Sequence, residues 1–94
     1  MKSYAAIDRI EGKFAVCEIE LVPVEESANL TPFEKETKML DISIDVISRV
    51  CGDIQESDII VVEHEENSDE ISVCGKDQDE KQRRIELLKK IMNS

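Results

Sequence analysis

The chain is short of the residues that run reactions. Its 94 residues include one histidine, three glycines and three aromatic side chains. A single histidine, His64, excludes the helix-borne zinc site that needs two. A Cys–His nucleophile pair stays open, because activation needs only one base beside the thiol. Gly12, Gly52 and Gly75 stand far apart, so there is no glycine-rich phosphate loop. Cys17, Cys51 and Cys74 are odd in number and form no Cys-x-x-Cys pair. They read as buried apolar groups in a reducing compartment, not as a disulfide framework or a Cys₃His zinc knuckle.

Long apolar runs are missing too. No stretch approaches the ~20 consecutive apolar residues that span a bilayer. Behind Lys2, the charges of Asp8, Arg9 and Glu11 interrupt any signal-like run, so no secretory signal is read. The expected location is the cytoplasm. Asn29-Leu30-Thr31 matches a glycosylation acceptor but has no meaning without export.

Acid is abundant. The formal net charge is −10, and it is unevenly placed. Residues 77–94 are net +1, which leaves −11 on the first 76. Such a body repels nucleic acid and anionic membrane, so neither is expected as a partner. The basic cluster Lys81, Arg83, Arg84, Lys89 and Lys90 has no interleaved aromatics, which argues against RNA. Glu63, Glu65, Glu66, Asp69 and Glu70 could gather calcium, but the ligand order of an EF-hand and its glycine are lacking. With 22 acids in the chain, a pair of carboxylates signals nothing by itself.

Ninety-four residues make one domain, 1–94. A chain this small buries a little over about 60% of its unfolded surface, so its core is limited and must be aliphatic. The first 75 residues hold 18 Ile and Val against three Leu. β-Branched side chains suit pleated surfaces. The period of the apolar residues changes at Gly75. Before it, Leu40, Ile42, Ile44 and Val46 alternate with polar residues. After it, Ile85, Leu88, Ile91 and Met92 fall at helical spacing.

The chain therefore reads as a β body, 1–75, and a terminal helix, 77–92. Strands are expected at 4–10, 14–21, 39–47, 59–63 and 70–74. Glu11-Gly12-Lys13 should turn the first into the second as an antiparallel hairpin. Residues 48–58 are read as a connection and His64–Asp69 as an acidic turn. Residues 22–38 form an irregular segment, read as a mobile excursion anchored by Leu30 and Phe33, with one helical turn started by Thr31-Pro32. Asp77 and Glu80 have the spacing of a capping box, and Lys89 and Lys90 suit the negative end of the helix. Leu87 widens the apolar stripe to about 160°. The fold class is α+β: a small antiparallel, barrel-like meander of about five strands, capped by the helix burying its stripe.

Two segments resemble a known family. Ala6-Ile7-Asp8-Arg9-Ile10-Glu11-Gly12 followed by Phe14-Ala15-Val16 is similar to the opening of the domain-of-unknown-function family numbered three thousand and six. Glu56-Ser57-Asp58 before Ile59-Ile60-Val61-Val62 fits its turn and aliphatic strand, with Ser57 where glycine is usual. The run Lys76–Ile85 fits its closing helix, with Gln or Lys where threonine is common. Segment 22–38 departs from the shorter members. The resemblance implies a compact bacterial β domain with a closing helix, sometimes found beside metallo-β-lactamase-fold proteins. It transfers no catalytic residue.

The function expected is that of a non-catalytic accessory module binding an unidentified protein, with no cofactor and no metal; the resemblance implies a metallo-β-lactamase-fold protein as that partner. Arg83, Arg84, Leu87, Lys90 and Ile91 are the candidate interaction surface. Exposed Leu87 and Ile91 would also allow a homodimer across a two-fold axis. The alternatives are an acidic inhibitor or nucleic-acid mimic filling a basic groove, and a cryptic metal-dependent enzyme.

Overall fold

The computed structural model describes residues 1–31, 34–65 and 67–93. Five strands form one antiparallel sheet: β1 (Lys2–Glu11), β2 (Phe14–Glu20), β3 (Thr37–Ser43), β4 (Ile59–His64) and β5 (Ile71–Lys76). Helices α1 (Val24–Ser27), α2 (Ile44–Cys51) and α3 (Gln78–Met92) complete the described elements. The strand order is β3-β2-β1-β4-β5. Gly12, at φ +59°, turns β1 into β2 as expected. β2 pairs with β3, and the chain then crosses back so that β4 pairs with the free side of β1.

The sheet does not close into a barrel, which corrects the expected architecture. β3 and β5 are its two open edges. The reason lies at Ser43. The register sets Ser43 opposite Phe14, the first residue of β2, and Lys13 O accepts the next amide, Ile44 N, at 2.9 Å. Beyond that point β3 has no partner left. A strand continued to 47 would leave its backbone unpaired, whereas a helix satisfies its own. Residues 44–51 therefore coil into α2, which Gly52 ends at φ +73°. Ile44, Ile47 and Cys51 fall on one helical face and turn inward. α2 contacts both edge strands and covers the side that barrel strands would have closed.

Alternation gives the sheet two faces. The first holds Ala5, Ile7, Ala15, Cys17, Ile19, Ile42, Ile60 and Val62, which form the core with Ile47 of α2. Each fully buried Ile contributes roughly 1.5–3 kcal/mol by removal from water. Cys17 lies here, and burial, with Asp41 nearby, pushes its thiol up to about 11. It stays protonated and inert. His64 is also on this face. It ends β4 and is buried, not placed in an acidic turn.

The second face carries Tyr4, Ala6, Phe14, Val16, Glu18, Glu20, Met39 and Asp41, by the strand registers. α3 lies on this side, with the Arg84 guanidinium 5.2 Å from the Tyr4 ring centre. The apolar stripe of α3 is not buried, another departure from expectation. Ile85 is 36% exposed, Leu88 56% and Met92 81%. Among the described residues no helix is long and apolar enough to cross a membrane.

Candidate binding groove

α3 is held through its first two turns by charge. Asp77 caps it, its Oδ1 accepting from Glu80 N at 2.9 Å, as the capping-box spacing implied. Lys81 donates to Asp58 Oδ1 at 2.8 Å. The Asp58 side chain is 1% exposed and also accepts from Gln55 N at 2.9 Å. Burial pushes the Asp58 carboxyl up, but Lys81 and the Gln55 amide outweigh it and hold it below the usual range.

A second cluster sits one turn further on. Glu80 is buried and takes a fork from Arg83, Nε and Nη2 at 2.7 Å each. Arg84 Nε adds a third bond at 2.6 Å. Burial again opposes ionisation, and the two guanidiniums prevail, so the carboxyl titrates low. Arg84 then reaches across to Glu20 at the end of β2, with Nη2 2.9 Å from Oε2. That contact is an ion pair without hydrogen-bond alignment. Glu20 is buried, accepts from Ser27 Oγ of α1 at 2.7 Å, and meets Lys35 Nζ at 3.5 Å. Glu20, Glu80 and Arg84 thus rivet α3, β2 and α1 together above Tyr4.

Past this rivet the helix leaves the sheet. Its last two turns overhang β2 and β3, and a groove of about 590 Å³ opens beneath them. Leu87, Leu88 and Ile91 form one wall. Ala6, Glu18 and Thr37 form the sheet floor. Ala28, Asn29, Leu30 and Thr31 form the opposite wall, and Glu20, Lys35, Arg83 and Arg84 close the charged end. The lining is mainly apolar. Burying its leucines against a partner would contribute the hydrophobic term that the fold leaves unused.

Four of the five sequence candidates, Arg83, Arg84, Leu87 and Ile91, line this groove. Lys90 is exposed and not part of the lining. Sequence reasoning missed Glu20, Ser27 and Lys35, which have no spacing relation to α3. It placed Leu88 in the apolar stripe, and that was the available signal. Segment 22–38 holds α1, and Leu30 lines the groove. The proposed anchor Phe33 and the turn at Pro32 lie outside the described residues.

His64 and Ser3 make the other notable pair. His64 Nε2 lies 2.9 Å from Ser3 Oγ, and Ser3 Oγ donates to Val22 O at 2.9 Å. Ser3 Oγ thus sits between the imidazole and the Val22 carbonyl. Burial, Lys38 and the terminal amino group all push the His64 pKa down. Both side chains are buried. A buried serine whose hydroxyl donates to a backbone carbonyl is not arranged as a nucleophile. Among the described residues, no three His, Cys, Asp or Glu side chains gather where they could hold one metal ion.

No family model, no curated protein and no solved structure matches this chain.

Proposed function

We propose that the protein is a non-catalytic interaction module whose working part is the groove under the overhanging end of α3. It holds an apolar segment of another polypeptide and carries out no reaction on it. One observation carries this reading. The C-terminal turns of α3 present Leu87 and Leu88 to an open groove, while the helix is anchored elsewhere by Asp58, Glu80 and Glu20. A helix that needed its leucines for its own attachment would have buried them.

The charged end adds orientation. Lys35, Arg83 and Arg84 pair there with Glu20 and Glu80, so a polar group of the bound segment is favoured at that end. The likeness to the uncharacterised bacterial family, with a metallo-β-lactamase-fold protein as a partner to try first, belongs to the same proposal, as does a cytoplasmic setting.

The test is binding of the apolar dye anilinonaphthalene sulfonate to the native protein, followed by fluorescence. At high dilution wild type should bind it, and Leu88→Lys should abolish the signal with the circular dichroism unchanged. Equal dye binding by both proteins would remove the groove from consideration.

A further inference from the structure

We infer that the occupant of this groove is a second copy of the same chain, docked reciprocally across a two-fold axis. The inference rests on the interaction-module reading above and names its partner. Two uncovered apolar patches carry it. The first is the overhang of α3, where Leu88 and Met92 are exposed and Lys89 and Lys90 follow in the last turns. The second is the bare half of the sheet's second face. There Phe14 and Met39 are each 50% exposed. Glu18 stands directly opposite Met39 in the β2–β3 register, and the exposed Asp41 is two residues further along β3 on the same face.

The patches match each other in kind and oppose each other in sign. One is apolar with lysines, the other apolar with carboxylates. They adjoin, since Leu87 and Leu88 on one side and Glu18 and Thr37 on the other line the same groove. Within one chain the groove separates Leu87 and Leu88 from Glu18 and Thr37. A self-complementary surface needs a patch and its complement on every copy, and a two-fold axis through the groove mouth then satisfies both at once. Each overhang would lie on the partner's Phe14–Met39 strip, with Lys89 and Lys90 near the partner's Glu18 and Asp41. The two acidic bodies repel at long range, but at physiological ionic strength the Debye length of about 8 Å confines the decision to groups in apposition. The chain's division into an acidic body and a basic tail, net −11 and net +1, favours the same reciprocal arrangement.

Sedimentation equilibrium on the full chain tests the pairing. Wild type should dimerise reversibly. Lys89→Glu with Lys90→Glu should weaken the dimer by roughly tenfold, about 1.4 kcal/mol. Glu18→Lys with Asp41→Lys should weaken it by a similar factor. This second outcome is the sharper one, because these changes make the chain less acidic and on net charge alone would favour association. All four changes in one chain should restore the dimer. A dimer indifferent to either pair, or not restored by the fourfold variant, overturns the reciprocal arrangement. A wild type that stays monomeric at high concentration overturns it as well. In that case dye binding separates the two ideas. A monomer that binds the dye in a Leu88-dependent way keeps the interaction module and loses only the second copy. A monomer that binds none defeats both.

Discussion

The two faces of the sheet are covered by helices held in opposite ways. α2 is attached by apolar contact, with Ile44, Ile47 and Cys51 pressed onto Leu40, Ile42, Ile60, Ile71 and Val73. α3 is attached by ion pairs, with Asp58, Glu80 and Glu20 answering Lys81, Arg83 and Arg84. Apolar contact needs the whole inner side of a helix. Ion pairs hold it at points. That is why α2 exposes only its polar side and Val46 and Val50, while α3 can be fastened at one end and still show leucines at the other. Charge attachment costs desolvation and is weak evidence of stability by itself. Its consequence here is a free apolar surface.

The contrast can be broken from either side. The largest effect is expected on the first face. Ile47→Ala leaves a cavity under α2 and should cost about 2–5 kcal/mol, seen as a lower urea midpoint for the whole chain. Asp58→Ala should act more locally. It strands the Lys81 ammonium and the Gln55 amide, at about 3 kcal/mol. Amide exchange should rise in α3 and at residues 55–58 while β2 and β3 stay protected. An equal rise throughout the chain would show that the two attachments are not separable.

Acid should distinguish the faces more gently and in sequence. His64 is held below its ordinary value of 6.5 on folding. The unfolded chain therefore takes up that proton first, so stability is full above 6.5 and declines as pH falls through and below it. Lys38, the terminal amino group and Glu63 are the charges around it. Asp58 and Glu80 are held below their ordinary values of 3.8 and 4.5. Their contribution is complete above those values and is lost as pH falls through the lower, folded ones. Stability measured against pH should thus fall in two steps, and His64→Gln should remove the upper step alone.

What could be read from the chain was local. Asp77 and Glu80 announce a helix start because a capping box is a contact between neighbours in sequence. Glu11-Gly12-Lys13 announces a turn for the same reason. The stretch Leu40–Val46 was misleading because Ile44 fits period two and, with Ile47 and Cys51, also fits a helix. Only the end of β2 at Phe14 decides between them, and that is a fact about another segment. The stripe on α3 was read correctly as a stripe and wrongly as buried. A helical wheel reports direction around an axis and says nothing about how far the axis stands from the sheet. That distance is set by Glu20, 60 positions from Glu80, through a rivet with no signature in spacing.

The placing of β1 between β2 and β4 has a bearing on how the chain is made. β1 and β2 are joined by a two-residue turn and can zip together at once, and β3 follows after the connection 21–36. The other side of β1 must wait for Ile59–His64, so its backbone groups stay open until those residues have been synthesised. During that interval the unpaired side of β1 is open to pairing with another chain, and the arrival of β4 closes it.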